Sequence, residues 1–387
     1  MNLVYSCIYI YLLLKPYYVF KSGTMQPADF FLVLSLIAIL LLKNKKKINS
    51  IINDNKLFLI FVILSGIINI LYFIMYKNTR FLFSSLYLVF NMMGIIVFTY
   101  ILDNNKVKEI IKKIFQLNIA IQLGLFLLGL GKYYGFTRYM GTFNDPNQFS
   151  FYILVSYVFI YLLSLDLKQS KGNIVFLLIS MFLIMESAST GMLLGISCFL
   201  LFEILYYLKN VLLNFGKYKY RIFIIIMVFI PLALSLWIIN DKFNIIKTDN
   251  ILIVKRVQEK FTKIETKNTQ NVSLIQERGY DRFIYYPQYI LYGSGEGEYN
   301  RFTLTYHQDE IHATFPSILF YYGIIPFAIL LLWLKKKLWI NNFILLIPIF
   351  ALFLESFTLL NQRQLLFWVI IVYVDYLNRK GIGDNYE

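Results

Sequence analysis

The residues best suited to chemistry fall in three short stretches of this chain. Its two histidines, His307 and His312, lie in His307-Gln308-Asp309-Glu310-Ile311-His312. A zinc helix of the His-Glu-x-x-His kind needs histidines four apart; here the separation is five, and no metal site is expected. An imidazole changes charge near neutral pH, which suits it to a general base or a substrate-binding group. A solvated polar collar ahead of an apolar segment would use the same residue types. Upstream, Arg278 and Arg282 stand four apart in Glu277-Arg278-Gly279-Tyr280-Asp281-Arg282. On a helix they would share one face. A guanidinium is a planar donor fork that matches phosphate oxygens, so the pair suits a lipid diphosphate. The plainer alternative is a surface ion pair with Glu277 or Asp281, which would stabilise little. Gly293-Ser294-Gly295-Glu296-Gly297 follows; it reads as a flexible turn, without the strand and helix that frame a nucleotide loop.

The third stretch is Arg138-Tyr139-Met140-Gly141-Thr142-Phe143-Asn144-Asp145-Pro146-Asn147-Gln148-Phe149. Asn, Asp and Pro make a turn that also starts a helix, with Asn147 as the expected cap. Those roles do not account for an arginine and several amides in so short a loop. Arg138, Asn144, Asp145 and Asn147 are therefore candidate substrate-binding residues, together with His307 and Glu186. Glu203 lies within an apolar run, where an unpaired charge costs about 2.5–3.5 kcal/mol on insertion scales.

What must position these groups is an array of membrane helices. Hydrophobic residues fill 58% of 387 positions, charged residues only 15%, and mean hydropathy is +0.62. A bilayer core about 30 Å thick needs roughly 20 apolar helical residues per crossing. We read twelve spans, near 2–20, 27–42, 57–76, 81–101, 114–131, 149–165, 173–186, 190–208, 222–240, 313–334, 338–355 and 365–378. Lys15-Pro16 interrupts the first, which lacks a basic leader and a small-residue cleavage site and reads as a retained span. The expected fold is all-α: one polytopic transmembrane unit over 1–387, with a single large loop, about 241–312, that contains short helices. The net charge of +15 sits in clusters between apolar runs, which argues against nucleic acid as a partner. Cys7 and Cys198 lie within apolar runs and suggest neither a disulfide nor a metal site.

Loop charges orient the array. With the N-terminus inside, 20 Lys and Arg fall in inside segments and 7 in short outside segments. The long loop is excluded from such a count. Both termini are thus expected in the cytoplasm, and the loop outside. No repeat of 20–50 residues is visible. The insertion follows the ninth span, not the sixth, which weakens a six-plus-six transporter reading.

Three of these features together resemble the O-antigen ligase/polymerase superfamily, which includes Wzy-type polymerases. Gly141-Thr142-Phe143-Asn144-Asp145-Pro146-Asn147-Gln148-Phe149, preceded by Arg138, is similar to its Gly-Thr-Phe-x-x-Pro-Asn-x-Phe segment. The large loop before the tenth span carries Arg278 and Arg282 ahead of a Gly-rich turn. His312 is followed by Gly323, as in the family's His-polar-x9-Gly pattern. The chain departs at Ala313, where Asn or Ser is usual, and at Glu186–Gly191, where Ser189-Thr190-Gly191 lacks the family's arginine. The resemblance covers about 25–380. It implies glycosyl transfer at the outer face of a bacterial cytoplasmic membrane, without metal or cofactor. The glycan would be carried on undecaprenyl diphosphate, and a sugar hydroxyl of the acceptor would displace that lipid at the anomeric carbon. Arg278 and Arg282, with Arg138, would hold the diphosphate. His312 would activate the acceptor, with Glu310 as the stand-in base. The two departures lean toward a capsule or O-antigen polymerase over a ligase. A flippase or transporter of the same units is the alternative from another class. The implied partners are the lipid-linked oligosaccharide, the bilayer, a chain-length regulator and a flippase.

Overall fold

The computed structural model describes residues 2–21, 24–42, 44–135, 137–169, 173–213, 274–306 and 308–382. The expected span at 222–240, the first part of the long loop (241–273) and His307 lie outside the described residues. What is described is mostly helical: α1 (Asn2–Leu14), α2 (Pro27–Leu41), α3 (Lys45–Asp54), α4 (Lys56–Tyr76), α5 (Arg80–Ile101), α6 (Asn105–Leu127), α7 (Pro146–Asp166), α8 (Asn173–Glu186) and α9 (Thr190–Leu213). Three one-turn helices follow, α10 (Leu274–Glu277), α11 (Arg282–Tyr285) and α12 (Tyr289–Tyr292), then α13 (Thr314–Tyr322), α14 (Ile324–Lys337), α15 (Phe343–Glu355) and α16 (Leu365–Arg379). One departure from an all-helical chain is a hairpin of β1 (Lys132–Tyr134) and β2 (Arg138–Gly141), which pairs Tyr133 with Tyr139 and Tyr134 with Arg138.

Among the described residues four helices, α4 to α7, are long and apolar enough to cross a membrane. Others are shorter: α1, α2, α8 and α15 have 13–15 residues. At about 1.5 Å per residue each covers roughly 20 Å, short of a full hydrocarbon core. The expected tenth span is two helices, not one. Gly323 breaks it with φ +76° and ψ 178°, a conformation open almost only to glycine. The break frees the Phe320 and Tyr321 carbonyls, and they are not left orphaned. The Ser294 and Gly295 N–H groups donate to them at 3.1 and 2.8 Å. The turn at 293–297 is therefore built into the helix break.

α7 sits at the centre. Nearly every side chain along it is buried, as expected of a helix apolar on all sides and enclosed by neighbours. It packs on α6, α8, α9 and α16, while α15 lies along α9 and α4 against α5 and α14. α3 differs in kind. It turns only Ile48 and Ile51 inward and leaves most of its polar residues exposed, the pattern of a helix lying along a membrane surface.

The described loops gather at two ends. At one end Lys47 meets Asp103 at 2.6 Å, Lys108 meets Asp166 at 2.7 Å, and Lys337 bridges Asp54 and Asp375 at 2.5 and 2.8 Å. Arg379 joins the same two carboxylates. The opposite end collects 15–21, 24–26, 77–80, 128–135, 137–146, 187–189, 278–306, 308–313 and 356–364. There the Tyr18 N–H donates to the Thr142 carbonyl, Asn144 Nδ2 to the Phe20 carbonyl and Arg278 to the Thr358 carbonyl. Every candidate site residue within the described chain lies at this second end.

Candidate functional site

The loop before α7 is fixed by its own polar groups. Asp145, not Asn147, caps the helix: its Oδ1 accepts the N–H groups of Asn147 and Gln148 at 2.8 and 2.9 Å. Pro146 takes the first helical position, where no N–H is needed. Asn147 is thereby released for another task. Its Oδ1 accepts Arg138 Nη2 at 2.9 Å and Ser189 Oγ at 3.1 Å. Arg138 Nε donates to the Ser187 carbonyl at 2.9 Å, which ties the hairpin to the turn between α8 and α9. Asn144 points elsewhere, bonded to Lys132 Nζ and the Phe20 carbonyl at 2.8 Å each. Glu186 ends α8, partly exposed.

The segment 277–282 is not one helix, so Arg278 and Arg282 do not share a face. A turn through Gly279 at φ +73° separates α10 from α11 and sends the two guanidinium groups apart. Arg282 is fully buried. Its Nη1 donates to Tyr321 Oη at 3.2 Å, its Nη2 to the Asp309 carbonyl, and it lies 4.8 Å from the Phe302 ring centroid. Tyr321 Oη in turn accepts the Ile311 N–H at 3.0 Å. As placed, Arg282 clamps the 309–311 segment onto α13. Arg278 is only partly buried. Its Nη1 reaches the Thr358 carbonyl at 2.7 Å and the His312 carbonyl at 3.5 Å, while the His312 N–H donates back to the Arg278 carbonyl at 3.1 Å. His312 itself is exposed, with Ile311 and Ala313 buried on either side of it.

These pieces touch. A Cβ placed on Gly191 would lie 2.0 Å from Thr358 Oγ1, so the start of α9 presses on the turn after α15. A continuous path of contacts runs from Arg138 through Ser187–Ser189 and Gly191 to Thr358, Arg278 and His312. The structure thus brings Arg138, Asn147, Arg278 and His312 to neighbouring positions on one rim. It turns Asp145 into a cap and Arg282 into an internal clamp.

Below the rim lies an ionic cluster that reading the sequence missed. Glu296, within the Gly-rich turn, has a side chain only 1% exposed. Its Oε1 accepts Arg363 Nε at 3.0 Å, Arg363 Nη2 at 2.6 Å and Gln362 Nε2 at 2.9 Å; its Oε2 accepts the Tyr322 hydroxyl. Arg363 Nη1 donates to both Glu310 oxygens at 2.9 and 3.1 Å, and Nη2 to Tyr299 Oη at 3.0 Å. Burial alone would lower the Arg363 pKa, but Glu296, Tyr299 and Glu310 hold it well above its ordinary value. Burial pushes the Tyr299 phenol well up, a shift that Arg363 opposes. The expectation of Glu310 as a stand-in base meets this geometry poorly, since both of its oxygens already face Arg363 Nη1.

The cluster is deep. The Glu296 N–H donates to Asn69 Oδ1 at 2.8 Å, and Asn69 lies seven residues before the end of α4, about 10 Å down the helix. The Gln362 carbonyl accepts Asn91 Nδ2 at 2.6 Å, and Asn91 lies eleven residues into α5, about 16 Å down. Two irregular segments, 293–297 and 356–364, therefore enter the bundle from the same end. Non-helical backbone at such depth is tolerated where protein encloses it. The sequence signal was present but quiet. A glutamate flanked by glycines and Asn361-Gln362-Arg363-Gln364 between two apolar runs are both polar insertions without a surface-loop role.

A third feature supports the Gly-rich turn. Arg301 lies within 4.7–5.3 Å of the ring centroids of Tyr72, Tyr76, Phe81 and Phe302. Its Nη2 donates to the Ser294 and Gly295 carbonyls. Burial lowers its pKa, opposed by Tyr289 and Tyr72. The aromatic cage and these bonds fix the turn that presents Glu296. Among the described residues no group of three or more His, Cys, Asp or Glu is arranged to hold a metal ion. Neither a scan against protein-family models nor a search of curated proteins finds a match for the chain.

Proposed function

We propose that the chain is a polytopic membrane glycosyltransferase, a repeat-unit polymerase acting on glycans carried by undecaprenyl diphosphate. The observation that carries this reading is the convergence of Arg138, Arg278 and exposed His312 on one rim of an apolar helical bundle. A departing lipid diphosphate gathers negative charge, and fixed guanidinium groups stabilise it without a metal. An acceptor sugar hydroxyl needs a base within hydrogen-bond reach, and His312 is the exposed imidazole beside Arg278. Arg282 serves this site indirectly, by holding the segment that leads to His312.

In this reading the chain crosses the bacterial cytoplasmic membrane twelve times, 222–240 among the crossings and α13 with α14 as one broken crossing. Both termini are cytoplasmic. The rim and the 241–312 loop face outward, where lipid-linked repeat units are polymerised. The lysine-rich opposite end, with Lys335, Lys336 and Lys337, agrees with a cytoplasmic side.

One observation favours a second reading, a transporter of the same units. Glu296, paired with partly buried Arg363, and Glu355 are buried among the helices, where transport pathways place ionisable groups. One experiment separates the two. The purified protein is reconstituted into proteoliposomes with lipid-linked repeat units extracted from the source cells. Polymerase activity gives a ladder of longer glycans and free undecaprenyl diphosphate, both lost in Arg278→Ala and His312→Ala. Near-normal chain growth by both variants, at normal protein levels, overturns the assignment. Movement of units across the bilayer without chain growth supports the transporter, and transfer only to a different anchor supports a ligase.

A further inference from the structure

We infer that Arg363 is a binding residue for a substrate phosphate, and that Glu310 occupies its outward donor, Nη1, until that phosphate arrives. The inference rests on the reading of the chain as an enzyme for lipid-diphosphate substrates, and adds a residue and a mode of entry to it.

Arg363 carries two carboxylates that differ in every structural respect. The inner one, Glu296, is 1% exposed, is held also by Gln362 and Tyr322, and sits on a turn anchored by Asn69. The outer one, Glu310, is 30% exposed, and its carboxylate is held by Arg363 Nη1. Its backbone neighbours are tethered, with the Asp309 carbonyl on Arg282 and the Ile311 N–H on Tyr321. The Glu310 side chain is able to swing away by rotation alone, while the chain that carries it stays in place.

The charge balance allows that exchange. Removing the only partner of a buried arginine leaves an uncompensated charge and is strongly unfavourable. Arg363 keeps Glu296 when Glu310 leaves, so the guanidinium stays neutralised. With both carboxylates present this local group holds one negative charge in excess. Nη1 is shared between the two oxygens of one carboxylate, at 2.9 and 3.1 Å, a position that two oxygens of one phosphate fit equally. The Arg363 side chain is 19% exposed, so the position is reachable once Glu310 has moved. Ile311, buried between Glu310 and His312, places those two side chains at alternate positions of one segment. A phosphate taken by Arg363 would therefore lie against the segment that carries the exposed His312.

The test measures binding, apart from turnover. Wild type, Glu310→Gln and Arg363→Lys proteins in nanodiscs are titrated with undecaprenyl diphosphate, undecaprenyl monophosphate and undecaprenol, and with inorganic pyrophosphate as competitor. Removing the competing carboxylate is expected to tighten diphosphate binding about fivefold. Arg363→Lys, which loses the planar fork, is expected to weaken it by at least as much, with undecaprenol binding unchanged in both. Competition by pyrophosphate places recognition in the headgroup, and its absence overturns the phosphate assignment. Equal diphosphate affinity in all three proteins overturns the inference while leaving the enzymatic reading in place. A wild type that binds diphosphate no better than undecaprenol overturns both. Equal unfolding temperatures of wild type and Glu310→Gln confirm that the comparison is between folded proteins; if Glu310→Gln is less stable and binds no tighter, Glu310 is a structural tether and the inference fails.

Discussion

Replacing Gly323 by alanine should destabilise the whole outer half of the bundle. At φ +76° and ψ 178° an L-residue is strained by about 1–3 kcal/mol. The added Cβ would stand 2.7 Å from both the Gly293 nitrogen and the Leu291 carbonyl oxygen. Both are backbone atoms, so relief requires moving the 291–293 segment, which adds about 1–3 kcal/mol by analogy with overpacked cores. Moving it also pulls on the Ser294 and Gly295 N–H groups that satisfy the broken helix. The sum, about 2–6 kcal/mol, is a large share of the 5–15 kcal/mol that holds a typical domain folded. Thermal unfolding in detergent, followed by tryptophan fluorescence, reads the effect through buried Trp333 and Trp368. Gly66→Ala is the control. It lies within α4 with no atom near its missing Cβ, and is expected to leave stability unchanged or raise it by about 0.5–1 kcal/mol. A Gly323→Ala protein that unfolds at the wild-type temperature would refute the close approach of the two glycine turns.

Three further outcomes are expected. Glu296→Ala removes the buried carboxylate on which Arg363, Gln362 and Tyr322 converge, leaves Arg363 only Glu310, and should cost about 1–3 kcal/mol in thermal or denaturant unfolding, while the Glu296→Gln, Arg363→Gln double variant should be more stable than either single one. Arg282→Ala should lower folded yield on size-exclusion chromatography, whereas Arg278→Ala, partly exposed, should fold normally and lose chain growth; the reverse pattern would contradict the assigned roles. Asp145→Ala should cost about 1 kcal/mol as a lost helix cap, against a smaller stability loss for Asn147→Ala, measured by the same unfolding assay.

Much of the helical plan was legible from apolar runs, because burying a helix demands a continuous apolar surface and polar residues then mark the ends. The helix starts at Pro27 and Pro146 follow from local chemistry alone, whereas the first helix stops after Leu14 and not near 20 as expected, because Lys15-Pro16 cannot continue it. The break at Gly323 was not legible in the same way. Its neighbours are apolar on both sides, so hydropathy runs straight across it. Only the tertiary partner, the 293–297 turn, makes the broken geometry favourable. The hairpin at 132–141 and surface helix α3 escaped for a related reason: each is short, and each is defined by what it packs against.

The site divides along the same line. Arg138, Arg278 and His312 were identifiable because their side chains stand in polar loops, where an arginine or histidine has few structural reasons to be. Glu296 and Arg363 were passed over because the sequence places them 67 positions apart, each in a stretch that resembles a turn. Their meaning arises only when both turns enter the bundle and meet. A buried arginine between two carboxylates is costly to assemble, since each ion loses its water. Glu296 is enough to neutralise Arg363, so Glu310 is surplus to a purely structural pair. A second carboxylate at the exposed side of an already neutralised arginine gains little for stability. It does keep an anion-binding position filled by an anion, at the point where the rim with Arg278 and His312 meets the interior.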